Sequence, residues 1–201
     1  MQKTFSLGIL LLFLFIAQFS YSQTDSEGSK DKNREFGFHL GVNWNNPTVD
    51  EDEFVSSSRV GYQLGLFYRQ GRYVYGETGL MYVHYSSDLA SVSTSSIGPL
   101  NYSTIALPLL IGVRPIPSKQ KVLNVRLFGG TWLGYVISGK YETQNLEYDA
   151  FKKFQFDPTI GAGVDVLLVH AAAGYAYGLS NILKDYKSHP NYFYLFLGLG
   201  F

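Results

Sequence analysis

The 201-residue chain contains no cysteine, which excludes disulfides, thiolate metal sites and anchoring through a lipid-modified cysteine. It has no excess of charge: 16 basic residues balance 16 acidic ones, so nothing points to nucleic acid or to an anionic membrane surface. Of its four histidines, His39, His170 and His189 are dispersed without ligand spacing, which argues against a metal site. The glycines form no phosphate-cradling pattern, and no cofactor is expected. The acidic run "DEDE" at Asp50 to Glu53 lacks the glycine-punctuated spacing of a calcium loop and reads as a solvated loop tip. Beyond the N-terminal segment, no apolar run reaches the roughly 18 residues of a membrane helix, so a membrane-inserted chain would have to cross as strands.

What the chain does have suits strands and tight turns: 16 Tyr, 15 Phe and 21 Gly. Residues 1–22 read as a cleaved signal peptide, with Lys3 in the n-region, an apolar run from Leu7 to Phe19, and Ser20-Tyr21-Ser22 placing small residues before the cut. Residues 23–34 are polar and free of aromatics beyond the cleavage site, a flexible periplasmic tether. The folded domain is predicted at 35–201.

Within that domain, eight segments alternate at period two. Phe36, Phe38, Leu40, Val42 and Trp44 form one face of the first against Gly37, His39, Gly41 and Asn43. The second sets Val60, Tyr62, Leu64, Leu66 and Tyr68 against Gly61, Gln63, Gly65, Phe67 and Arg69. A third, from about Arg72 to Tyr85, turns Tyr75, Glu77, Gly79 and Met81 to the polar side. The fourth carries Ile105, Leu107, Leu109, Ile111 and Val113 on one face, with Pro108 expected to mark a bulge or local break because it cannot donate to the ladder. The fifth runs from about Val122 to Ser138, the sixth is "FDPTIGAGVDV", the seventh spans Val169 to Leu179, and the eighth is the closing "NYFYLFLGLGF". Segments of nine or more residues match the length a tilted strand needs to cross a bilayer.

Connections alternate short and long. Turns near Gln70-Gly71, at "PIPSKQK" and around Leu167-Leu168 are brief, whereas loops at 45–58, 86–101, 139–154 and 180–190 are longer, as in an outer-membrane barrel with periplasmic turns and external loops. The predicted fold is therefore an all-β, eight-stranded antiparallel up-and-down transmembrane β-barrel in the outer membrane, with both termini periplasmic. Aromatic residues fall at both ends of the outward faces, with Phe36, Tyr68 and Phe201 at one end and Trp44, Tyr82, Tyr135, Tyr177 and Phe193 at the other. A soluble barrel of lipocalin type would alternate too, but its apolar face would point inward, whereas here glycines and charges share the opposite face. The inward charges Glu77, Arg114, Arg126 and Asp165 are expected to form one ion-pair network joining Glu77 to Arg114 or Arg126, with Asp165 as a further acceptor.

The stretches "TIALPLLIGV", "FGGTWLGYVISG", "FDPTIGAGVDV", "GYAYGLSNI" and the final "LGLGF" resemble, in that order, the PorT-like outer-membrane β-barrel domain proteins of Gram-negative bacteria. The resemblance covers most of the mature chain and implies the barrel; its PorT branch implies a link to a protein-secretion apparatus. The chain departs from the family pattern at Ala106 and Gly174, where relatives tend to carry charge. The terminal alternation of Phe193, Leu195, Leu197, Leu199 and Phe201 resembles the signal read by the barrel-assembly machinery.

Chemistry is sparse. "HYS" at His84 to Ser86 resembles the His-x-Ser pair of lipid A deacylases, and Asp88 lies on the same strand face, so a triad has the right parity. The plain alternative is a set of polar residues where a strand leaves the membrane. The reading favoured is a non-enzymatic outer-membrane protein, in contact with outer-membrane lipid, acting through its wall and external loops in adhesion, surface interaction or secretion. A lipid-modifying hydrolase using His84 and Ser86 comes second, and a narrow solute channel third.

Overall fold

The computed structural model describes residues 34–45, 48–49, 54–91, 96–117, 123–141, 151–181 and 188–201. The leader at 1–22, all but the last residue of the tether at 23–34, and the acidic run at Asp50 to Glu53 lie outside the described residues.

The described residues form ten strands: β1 (Arg34–Asn45), β2 (Thr48–Val49), β3 (Phe54–Gly71), β4 (Val74–Ser91), β5 (Ser96–Pro117), β6 (Leu123–Tyr141), β7 (Phe154–Val166), β8 (Val169–Tyr177), β9 (Ser188–His189) and β10 (Asn191–Gly200). Eight close an antiparallel barrel in the order β1-β10-β8-β7-β6-β5-β4-β3, and β2 and β9 pair as a separate ribbon. Closure comes from β10, whose Leu199, Leu197 and Leu195 pair with Phe38, Leu40 and Val42 of β1. The last strand therefore has a partner on each side, β1 and β8, and its apolar face needs no soluble cover.

Alternation along β1, β3 and β10 resolves as expected. Leu40, Leu64, Leu66 and Leu197 are exposed on the outer wall, while Gly61, Gln63, Phe67 and Tyr194 are buried inside. This polarity is that of a membrane barrel and excludes the lipocalin arrangement. The outward band from Phe36 to Trp44 spans on the order of 20 Å at ~3.3 Å per residue and a tilt near 40°, the height of a hydrocarbon layer in such barrels. Among the described residues no helix is long and apolar enough to cross a membrane.

One expectation holds and another needs correction. Pro108 marks a local break and not a bulge: pairing with β4 lapses beside it, from Thr78↔Leu109 to Met81↔Ala106, and the register is unchanged on both sides. Its missing N–H interrupts the ladder without inserting a residue. The register shifts instead at Ser58/Tyr62, Ser103/Thr104 and Val113/Ile116. The loops expected at 86–101 and 45–58 are also partly strand. β4 and β5 continue as a ladder out to Ser91↔Ser96, and β3 begins at Phe54. Strands β3 to β6, at 18, 18, 22 and 19 residues, thus outrun β8 and β10, at 9 and 10, and raise a four-stranded wing on the loop side.

Turns on the other side are tight. Gly71 adopts φ 126° in the β3–β4 turn, a conformation that costs a side-chain-bearing residue steric strain. The β7–β8 connection forces Leu167 to φ 55°.

Candidate functional site

The barrel lumen is filled, and its two ends differ. On the turn side, β3, β4, β6 and β7 each direct a charged residue inward, and the first residues of β1 add Glu35. Arg69 Nε donates to Glu77 at 2.8 Å and its Nη1 to Glu35 at 2.9 Å, with Asp165 at 4.0 Å. Arg126 Nε donates to Asp165 at 2.8 Å and Arg126 stands 3.8 Å from Glu77. His170 Nδ1 lies 3.5 Å from both Glu35 and Asp165. The three arginines of this cluster, Arg69, Arg114 and Arg126, face three carboxylates, so the site is close to neutral.

Of the charges named from sequence, Glu77, Arg126 and Asp165 come together here. Arg114 does not reach Glu77: it meets Glu35 at 3.4 Å and donates to the carbonyls of Gly71 and Arg72 at 2.7 and 3.0 Å, bracing the β3–β4 turn. Sequence reasoning left out Arg69, Glu35 and His170. Arg69 had the signal, since strand parity puts it inward; Glu35 and His170 sit at strand starts, where parity has few residues to rest on.

The middle and loop-side lumen is aromatic. Trp132 packs against Tyr194 and Tyr192 at centroid distances of 5.0 and 5.8 Å, and Tyr85 stacks on Tyr102 at 4.7 Å. Phe151, fully buried, closes the loop side over Tyr102 and Gly139. A Cβ at Gly174 would run into the Tyr194 ring and hydroxyl, so the wall thins there to admit the tyrosine. Between the halves lies a cavity of about 30 Å³ lined by Arg69, Glu77, Arg126, Trp132 and Tyr194, among others, enough for a water but not for a pore.

Asp157 is out of balance. It is buried, the Tyr192 hydroxyl donates to its Oδ2 at 3.4 Å, and its Oδ1 has no hydrogen-bond partner among the described residues. A buried carboxylate without a cation opposes folding. Asp157→Asn keeps the shape and removes the charge, so it is expected to raise stability by about 1 kcal/mol or more in urea unfolding. A fall in stability would show that a cation compensates this carboxylate.

The residues considered for hydrolysis lie on the outer wall. His84 Nδ1 engages Ser103 at 3.0 Å, not Ser86, and Ser103 also accepts from Tyr82 at 2.9 Å. Ser86 donates to Asn101 at 2.8 Å, and Asp88 is held by Arg59 at 3.2 Å. The His84–Ser86–Asp88 set is thus divided among three separate contacts, with no orienting carboxylate on His84 among the described residues. No cluster of metal-ligating side chains occurs among the described residues.

Phe193, Leu195, Leu197, Leu199 and Phe201 all lie exposed on the outside of β10 and just past its end. Several solved structures share the fold, two outer-membrane proteins among them. The outer membrane protein OprG from Pseudomonas aeruginosa superposes with a TM-score of 0.53 at 10% identity, covering 83% of this chain and 93% of that one. Neisserial surface protein A (NspA) gives 0.52 at 11% identity, covering 83% and 97%. No curated protein matches the sequence. The family model of the outer membrane protein beta-barrel domain matches residues 5–184, most of the chain. Closed barrel, outward apolar band and family match agree, and the chain belongs to the outer membrane protein beta-barrel domain family.

Proposed function

We propose that this is a small non-enzymatic outer-membrane protein that works through its outer wall and loop-side wing, in adhesion, surface interaction or a PorT-like secretion role. The observation that carries this reading is the filled lumen combined with the wing. Ion pairs and stacked rings occupy the interior, which leaves a solute no path, while β3 to β6 extend a sheet beyond the barrel proper. Material invested beyond the membrane on one side serves contact with something outside it. The exposed C-terminal β10 face supports recognition by the barrel-assembly machinery during insertion.

The reading places the loop side outside the cell and both termini in the periplasm. A Cys at Lys152, exposed beside Phe151, is expected to react with an impermeant thiol reagent on whole cells, and a Cys at Arg72 in the β3–β4 turn is not. The reverse pattern would invert the orientation. Function itself is tested by a photo-cross-linker placed at Lys152 in living cells, with mass spectrometry of the captured chains. Surface or secretion-apparatus subunits are the expected catch; a catch no different from that of an uncross-linked control would overturn the partner role.

A further inference from the structure

β1 and β10 form the seam of the barrel. Every other pair of neighbours in the barrel order is consecutive along the chain and joined at one end by a turn or loop, whereas β1 and β10 come from opposite ends of the domain. Their ladder runs from Gly37↔Gly200 to Asn45↔Tyr192. No turn keeps the two strands close if their hydrogen bonds open, so this ladder can fray from both ends. Fraying is costly in a membrane, because it leaves backbone N–H and C=O groups unpaired in lipid.

Each end of the seam carries a clasp. On the loop side β2 and β9, which follow β1 and precede β10, pair at Thr48↔His189, and Trp44 packs on Phe193 at 5.7 Å. On the turn side Phe36 and Phe201 exchange both backbone hydrogen bonds, at 3.0 and 2.7 Å, and Glu35 comes next in the chain. The Glu35 carboxylate reaches well beyond its own strand. Its Oε2 accepts from Arg69 of β3 at 2.9 Å and from Arg114 of β5 at 3.4 Å, while its Oε1 stands 3.5 Å from His170 Nδ1 of β8. The way to β8 crosses β10 at Gly200, where a Cβ would collide with Glu35 Oε1 and the His170 ring. One side chain therefore engages strands on both sides of the seam.

We propose that Glu35 is the turn-side latch of the barrel seam, with Gly200 as the notch that lets it close. None of its three partners depends on it alone: Arg69 keeps Glu77 at 2.8 Å, Arg114 keeps the carbonyls of Gly71 and Arg72, and His170 keeps Asp165 at 3.5 Å. What Glu35 adds to the cluster is the tie between β1 and β8 over β10. Removing its charge weakens that tie without stranding a cation, so the effect stays at the seam. Glu77 supplies the contrast, since its ion pairs run to Arg69 of β3 at 2.8 Å and Arg126 of β6 at 3.8 Å, and neither crosses the seam.

The test uses the full chain folded in detergent micelles and reads amide hydrogen exchange residue by residue by NMR. In Glu35→Gln the amides of Phe36 and Phe201 are expected to exchange about tenfold faster than in the wild-type chain, equivalent to ~1.4 kcal/mol, while amides of the β6–β7 ladder keep their rates. Gly200→Ala, which obstructs the latch from the facing strand and leaves every charge in place, is expected to speed the same two amides. Glu77→Gln is expected to leave the seam no faster than the β6–β7 ladder. Unchanged exchange at Phe36 and Phe201 in Glu35→Gln would overturn the latch, and unchanged exchange in Gly200→Ala would overturn the notch in β10. Acceleration shared equally by the β6–β7 ladder, or a seam that opens as readily in Glu77→Gln as in Glu35→Gln, would overturn it too, because the loss of any lumen charge would then suffice. If Glu35→Gln yields no heat-modifiable barrel, the same two amides in Gly200→Ala decide.

Discussion

Arg69→Met is expected to destabilise the barrel by about 3 to 5 kcal/mol, the cost of breaking a buried pair by removing one partner. Arg69 is only 2% exposed, and it answers Glu77 at 2.8 Å, Glu35 at 2.9 Å and Asp165 at 4.0 Å. Its guanidinium also lies over the Phe67 and Tyr75 rings at 4.9 and 5.3 Å. Met fills much of the volume but strands the Glu77 carboxylate in the lumen, with Arg126 at 3.8 Å as its remaining cation. Glu77→Gln in the same chain is therefore expected to recover part of the loss, and the double variant to be more stable than the sum of the single losses predicts. Urea unfolding in detergent or lipid measures all the corners. Coupling of Glu77 with Arg69 is expected to exceed its coupling with Arg126, because 2.8 Å is a hydrogen-bonded contact and 3.8 Å is not. Strictly additive losses for Arg69 and Glu77 would show that the pair does not hold the turn-side lumen together.

Trp132→Ala is expected to cost a similar 3 to 5 kcal/mol, roughly the usual penalty for deleting a large buried aromatic side chain. Trp132 is 1% exposed and joins the aromatic half of the lumen through Tyr192, Tyr194 and Phe196. It also borders the cavity of about 30 Å³, so truncation enlarges an existing void that the rigid barrel wall cannot collapse to fill. Thermal and urea midpoints should both fall. Trp132→Phe should recover much of the loss, and a near-neutral Trp132→Ala would mean that the lumen repacks freely.

The chain is legible as far as the membrane constrains it. Where lipid bathes one face and packed side chains the other, every strand must alternate, so Phe38, Leu40 and Leu197 could be placed outward and Arg126 and Asp165 inward from order alone. The same alternation exposed the apolar C-terminal strand as a barrel seam. Past the hydrocarbon that constraint lapses: residues 86–91 and 96–101 are largely serine and other small or polar groups, so a ladder continues there without an apolar–polar periodicity to announce it, and the wing read as loop. Sequence grouped Glu77, Arg126 and Asp165, but the full set of partners of each was beyond it for another reason. Parity assigns a side, but partners follow from shear and tilt around the closed barrel, and these bring Arg69 rather than Arg114 to Glu77 and bring His84 to Ser103 rather than Ser86. Sequence by itself determined the fold class, the lipid-facing surface and the direction each strand residue points, because those depend on local order along one strand. Only the tertiary structure decided the ion pairs and the plugged lumen, because those depend on the register between strands far apart in the chain.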